Sequence, residues 1–271
     1  MLSKRFALFP ALAALVALAQ VMTAPRSPQV VAAQFPHQHG PIRLTSAPAR
    51  DGSVTSDNWS GYTVTGSDFT YAKASWKLTA INCTKTPNSY AGFWVGLDGY
   101  SSSTVEQTGT ASDCNGKNPQ YYAWYEFFPA NPVTITSVPV APGNILFAEV
   151  SYNGTEFTLT LTNETTGKTF SKTGKVTGAK RSSAEWIAEA PCCNAFGAPL
   201  PLSDFGTISF GDDYTSVSDT NWASDSAVTG PISDFGKNVL RINMVNKGVT
   251  EAATSVLSTD GSSFKIAWKS E

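Results

Sequence analysis

Past residue 56 the chain has no histidine, because the two it contains are His37 and His39. That excludes Ser-His-Asp and Cys-His centres, and the usual histidine-bearing zinc sites, from the bulk of the sequence. Asp-Thr-Gly and Asp-Ser-Gly, the marks of paired-aspartate peptidases, are also missing. A Ser262-x-x-Lys265 and a Lys172-Thr173-Gly174 occur. They stand in the reverse of their usual order and in strand-like sequence, so a serine-lysine centre is set aside. Arginine is scarce, with only Arg181 and Arg241 beyond residue 56 and no basic patch, so nucleic acid is not expected as a partner. No Gly-rich phosphate loop, internal repeat or sustained helical stripe is found, and neither a metal nor a cofactor is expected. Any chemistry must come from carboxylates, amides, hydroxyls and aromatics.

Charge is sparse as well. Of 19 Lys and Arg, five precede residue 57, whereas of 21 Asp and Glu only Asp51 does. The remainder is acidic, and once its carboxylates are protonated few cations are left to repel one another. Acid unfolding by self-repulsion should therefore be mild, which permits work at low pH.

Three segments follow from composition. Lys4 and Arg5 precede an apolar run over residues 6–16, and Ala17-Leu18-Ala19 offers small residues for a signal peptidase. Residues 1–19 therefore read as a secretory signal, with a cut after Ala24 as the alternative, and the product as secreted. The run is too short for a membrane span, so the mature form is expected to be free of the membrane. Residues 20–56, rich in Pro, Gln, Ala and Ser without periodicity, read as a pro-segment or disordered leader, either a zymogen device or a spacer. Residues 57–271 are enough for one sizeable core, expected as a monomer.

In that region short alternating or aromatic runs are separated by Gly, Pro, Asn, Asp and Ser. Strands are expected near residues 58–65, 71–81, 92–97, 120–128, 145–152, 156–163, 207–210, 239–245 and 264–268. Asn153-Gly154 and Asp260-Gly261 supply hairpin signals. The fold class is all-β, a sandwich or jelly roll of concanavalin-like kind. In a secreted chain the four cysteines read first as disulfides. Cys83 with Cys114 is the favoured pair of three connectivities, since it closes a loop around the most informative stretch. The vicinal Cys192 and Cys193 are then a strained bridge, two thiols, or a sign that the favoured pair is wrong.

That stretch is residues 90–128. Alternation places Gly92, Trp94, Gly96 and Asp98 on one strand face, opposite Phe93, Val95 and Leu97, which read as core. It likewise groups Tyr122, Trp124, Glu126 and Phe128. The glycines beside Trp94 suggest a groove floor. A second carboxylate site lies in Ser183-Ala184-Glu185-Trp186-Ile187-Ala188-Glu189, where a strand glutamate among apolar neighbours needs a raised pKa or a partner. Glu185 is therefore a candidate general acid or base.

Asn58-Trp59-Ser60-Gly61-Tyr62, Phe93-Trp94-Val95-Gly96-Leu97-Asp98-Gly99, Glu106-Gln107-Thr108-Gly109, Ala123-Trp124-Tyr125-Glu126 and Ala184-Glu185-Trp186-Ile187-Ala188-Glu189-Ala190-Pro191 together resemble the eqolisins. These are the glutamic peptidases, secreted acid proteases insensitive to pepstatin. The resemblance covers nearly all of residues 57–271 and implies two antiparallel sheets of about seven strands. It implies a Gln107/Glu185 catalytic dyad acting on protein and peptide substrates, with Trp59, Trp94, Asp98 and Glu126 shaping and supporting the groove. Phe127-Phe128 departs from the Trp-Tyr often found in the family. Two other readings compete: a jelly-roll glycoside hydrolase using Glu126 and Glu185, and a non-catalytic carbohydrate-binding module using the tryptophans.

Overall fold

Strand follows strand through the computed structural model, which describes residues 37–193, 195 and 197–270. In chain order they are β1 (Ser53–Ser56), β2 (Trp59–Thr65), β3 (Tyr71–Lys77), β4 (Tyr90–Leu97), β5 (Val105–Asn115), β6 (Asn118–Phe128), β7 (Val133–Ile135), β8 (Ile145–Tyr152) and β9 (Phe157–Asn163). Then come β10 (Lys168–Gly174), β11 (Ser183–Glu189), β12 (Thr207–Phe210), β13 (Trp222–Ser224), β14 (Thr229–Pro231), β15 (Val239–Asn246), β16 (Val249–Thr254) and β17 (Phe264–Trp268). Among the described residues helix is confined to α1 (Asp212–Thr215) and a 3-10 stretch, Ile232–Asn238. The signal expected at residues 1–19 lies outside the described residues, as does the leader up to residue 36.

Antiparallel pairing arranges the strands in two runs. One is β7-β6-β5-β4-β11-β2-β15. The other is β16-β17-β12-β3-β8-β9-β10, with β13 also on β3. β15 joins them: it pairs with β2 through Val239–Ile242 and with β16 through Met244–Asn246, with a register shift between Met244 and Val245. A bulge of this kind bends a strand and increases its twist. The all-β antiparallel expectation holds, although the pairings form one continuous 17-stranded ladder rather than two separate sheets. β1 is a parallel addition on β15, so part of the segment read as a leader is strand.

Strand periodicity explains the core. β8 and β9 alternate buried and half-exposed residues, directing Leu146, Ala148, Val150, Phe157, Leu159 and Leu161 inward. These join Phe93, Val95, Leu97 and Trp186 from the first run, and Trp76, Phe210 and Phe264 from the second, in one cluster. Each large side chain buried there contributes about 1.5–3 kcal/mol. β4, β5 and β11 are buried on both faces, with Asn115 and the half-buried Tyr90 as the exceptions at strand ends. Their second face carries a smaller cluster of Trp59, Trp94, Trp124, Val105, Ile187 and Ile242, and it is here that polar side chains gather. Cys83 is bonded to Cys114, with Cα atoms 5.3 Å apart. Cys192 and Cys193 face each other just after β11.

Candidate active site

Register decides which polar side chains meet on the second face. Glu185, Gly96, Gln107 and Glu126 form one row across β11, β4, β5 and β6. Glu189 pairs with Trp59 on one side and Gly92 on the other. Ile187, Trp94, Gly109 and Trp124 make the row between. Because side chains in a strand alternate, Glu185 and Glu189 both point to this face.

Around Glu189 the tryptophans converge. Its Oε2 accepts from Trp94 Nε1 at 2.8 Å, and its Oε1 from Trp59 Nε1 at 3.3 Å. The two indoles pack edge to face with centroids 5.0 Å apart. Gln107 Nε2 donates to Glu126 Oε2 at 3.0 Å. Over these groups runs the segment of residues 37–43. The His39 carbonyl accepts from Gln107 Nε2, and the His39 backbone N–H donates to Glu126 Oε2 at 3.0 Å. The His39 ring stacks on Trp124 at 3.8 Å, and its Nδ1 lies 2.8 Å from Glu189 Oε2. A β-carbon at Gly92 would come within 2.6 Å of that ring, so glycine there is what admits it.

Burial sets the electrostatics. Loss of water raises Glu189 well above the carboxylate range, against the pull of Trp94, Trp59 and the Gly40 N–H. It raises Glu126 in the same way, with the nearby Glu189 adding to the shift and the His39 and Gln107 donors opposing it. Burial lowers His39 to about 3. Burial thus disfavours the charged form of each group in the His39–Glu189 contact.

A model of the Peptidase A4 family matches residues 57–263. The chain belongs to this family, the eqolisins. This eqolisin is a glutamic endopeptidase. It is 25% identical over 197 residues to aspergillopepsin-2 of Aspergillus niger, a match that spans 64% of this chain and 69% of that one. Its fold is similar to that of scytalido-glutamic peptidase crystallised with a transition state analog inhibitor. There the TM-score is 0.65 at 22% identity, covering 79% of this chain and 98% of the other. It is also similar to aspergilloglutamic peptidase of Aspergillus niger, with a TM-score of 0.56 at 24% identity over 67% and 99% of the two chains.

The eqolisin's sequence-derived candidates separate into two groups. Gln107, Glu126, Trp59 and Trp94 come together. Glu185 does not join them: its Oε1 accepts from Thr63 Oγ1 at 3.2 Å, and its other oxygen has no hydrogen-bond partner among the described residues. The carboxylate that meets the tryptophans is Glu189, which sequence reasoning passed over because parity does not distinguish it from Glu185. Its pairing with Trp59 is the signal that does.

Asp98 also lies apart from the cluster, and its role is to fix the chain entering β11. It accepts from the backbone N–H groups of Lys180, Arg181 and Ser182 at 2.7, 2.7 and 2.9 Å, and from Ser182 Oγ at 3.0 Å. Glu126 and Glu185 share no hydrogen-bond partner among the described residues: Glu126 accepts from His39 and Gln107, and Glu185 from Thr63. Trp59, Trp94 and Trp124 are fully buried and offer no open sugar platform.

Proposed function

We propose that this eqolisin is a secreted, monomeric acid endopeptidase, insensitive to pepstatin, that hydrolyses peptide bonds in proteins. Gln107 and Glu189 do the chemistry on a two-layer sandwich. The observation that carries this reading is that Gln107 already donates to a backbone carbonyl, that of His39, beside the Glu189 carboxyl. A peptide bond is the kind of group these side chains are spaced to hold.

Each role follows from the side chain's chemistry. Ionised Glu189 takes a proton from a water directed at the scissile carbonyl carbon, then returns it to the departing amine nitrogen. The Gln107 NH₂ donates to the oxyanion as charge builds on it, and its donation does not depend on pH. Glu126 accepts from the same NH₂ and so fixes which end of the amide faces the substrate. Gln107 Oε1 has no protein partner among the described residues and is available to orient the water. Departure of residues 37–43 would let solvent reach Glu189 and lower its pKa toward the acid range where a carboxylate base operates.

The test uses denatured protein substrate between about pH 2 and 5, with and without pepstatin, and compares Gln107→Ala, Glu189→Gln and Glu185→Gln. Hydrolysis should persist with pepstatin and in Glu185→Gln, and be lost in the other two. Hydrolysis that survives Glu189→Gln would sink the mechanism.

A further inference from the structure

Where residues 38–40 cross Gln107 and Glu189, four backbone groups are held in turn. Cys192 N–H donates to the Gln38 carbonyl at 2.8 Å, and the His39 N–H donates to Glu126 at 3.0 Å. The His39 carbonyl accepts from Gln107 Nε2, and the Gly40 N–H faces the Glu189 carboxyl as a donor. Any extended peptide carries the same groups, so this grip is blind to sequence, and selectivity falls to the side chain that the groove admits between them.

That side chain meets a slot shaped for a ring. The His39 imidazole lies parallel to the Trp124 indole, with centroids 3.8 Å apart and 1° between the planes. On the other side a β-carbon at Gly92 would come within 2.6 Å of the ring's Cε1 and 2.9 Å of its Nδ1, and the next atom it would meet is Trp94 Cδ1 at 3.6 Å, an ordinary contact. The domain therefore has room for alanine at position 92, and it is the occupant of the slot that requires glycine. Imidazole suits the slot imperfectly. Its Nε2 is buried without a hydrogen-bond partner among the described residues, which is costly. Its Nδ1, 2.8 Å from Glu189 Oε2, engages the very carboxyl that has to act on water. A phenyl ring offers the same flat face and has neither nitrogen.

We propose that Gly92 and Trp124 set the specificity of this enzyme, and that they select a flat hydrocarbon ring, as in phenylalanine, on the residue that supplies the scissile carbonyl. The proposal deepens the peptidase reading given above and rests on it: the carbonyl that Gln107 holds is the one attacked, so the side chain of that same residue enters the slot. Trp124 supplies a face on which a planar ring stacks and a puckered ring of the same size cannot. Gly92 supplies the room opposite. Neither residue takes part in proton transfer, so their effect is on which peptide is cleaved.

The experiment measures kcat/KM of the secreted enzyme at acid pH on peptides that differ only in the residue before the cleaved bond: phenylalanine, cyclohexylalanine, histidine or alanine. Mass spectrometry of the products fixes which bond is cut. Phenylalanine should exceed alanine roughly ten- to hundredfold, with cyclohexylalanine and histidine well below phenylalanine. In Gly92→Ala the ratio of phenylalanine to alanine should collapse toward one. A ratio near one in the unaltered enzyme, or cyclohexylalanine equal to phenylalanine, overturns the proposal and leaves the peptidase reading standing. So does a Gly92→Ala enzyme that is slower on every peptide but keeps the ratio, because a merely structural role for the glycine would do that. The peptide comparison on the unaltered enzyme decides the question even if Gly92→Ala does not fold. Hydrolysis of neither the peptides nor casein overturns both readings.

Discussion

Gln107 and Glu126 are cross-strand partners, and the bond between them, 3.0 Å from Nε2 to Oε2, fixes which end of the amide faces the groove. Glu126→Ala would remove that acceptor, and the Gln107 amide could then turn. Removing one oxyanion donor costs roughly 10²–10³ in kcat. A loss of about that size is expected, with KM nearly unchanged and a folded circular dichroism spectrum. Full activity in Glu126→Ala would show that the orientation of Gln107 is set elsewhere.

The two glutamates of β11 should respond oppositely to the same substitution. Glu189→Gln removes the proton carrier and should lower kcat by about 10²–10⁴. Glu185, raised well above the carboxylate range by burial and by the neighbouring Asp98 and Glu106 charges, resembles an amide in its protonated form. Glu185→Gln should keep activity within a few-fold and raise the melting temperature at neutral pH. Parallel kinetic and melting measurements on the two variants decide the matter.

Stability should be highest in acid. Burial raises Glu106 to about 9, with Asp98 adding to the shift, and raises Asp113 to about 7, against ordinary values of 4.5 and 3.8. Between the two values the native state holds a proton that the unfolded chain has released, so stability falls as pH rises. It is full below the unfolded values. It is lost progressively up to about pH 7 for Asp113 and about pH 9 for Glu106, with a slope of at most about 1.4 kcal/mol per pH unit for each group. Melting temperatures measured across this range should decline, and Glu106→Gln should flatten the decline. A melting temperature that climbs from acid to neutral pH would contradict the sign.

Asp98→Ala should destabilise the fold through β11. It would strand the backbone N–H groups of residues 180–182 that now bond to one carboxylate. Hydrogen bonds to a charged group are worth about 1.5–3 kcal/mol each, and their partial replacement by water should leave a net loss of a few kcal/mol. Denaturant melts would read this directly, and Asp98→Asn, which keeps an acceptor oxygen, should recover part of it.

What the sequence disclosed followed from periodicity. Phe93, Val95 and Leu97 alternate with Gly92, Trp94 and Gly96 just as the two faces of β4 require, and 145–152, 207–210 and 264–268 are strands at the expected bounds. β5 was not legible. Its Ser, Thr and Gly residues carry no apolar alternation, and it is a strand because β4 and β6 pair along both its sides. The choice between Glu185 and Glu189 was hidden for a related reason. It depends on register, which is set between strands distant in sequence, and both residues satisfy the local pattern equally. Residues 37–43 gave no signal either, since they are held by side chains of the domain and not by their own composition.

The space opposite Trp124 also bears on which sequences the groove will accept. It is closed above by an indole face and left open below only because position 92 lacks a β-carbon. A flat ring such as the His39 imidazole fits this space, and a β-carbon at position 92 would close it.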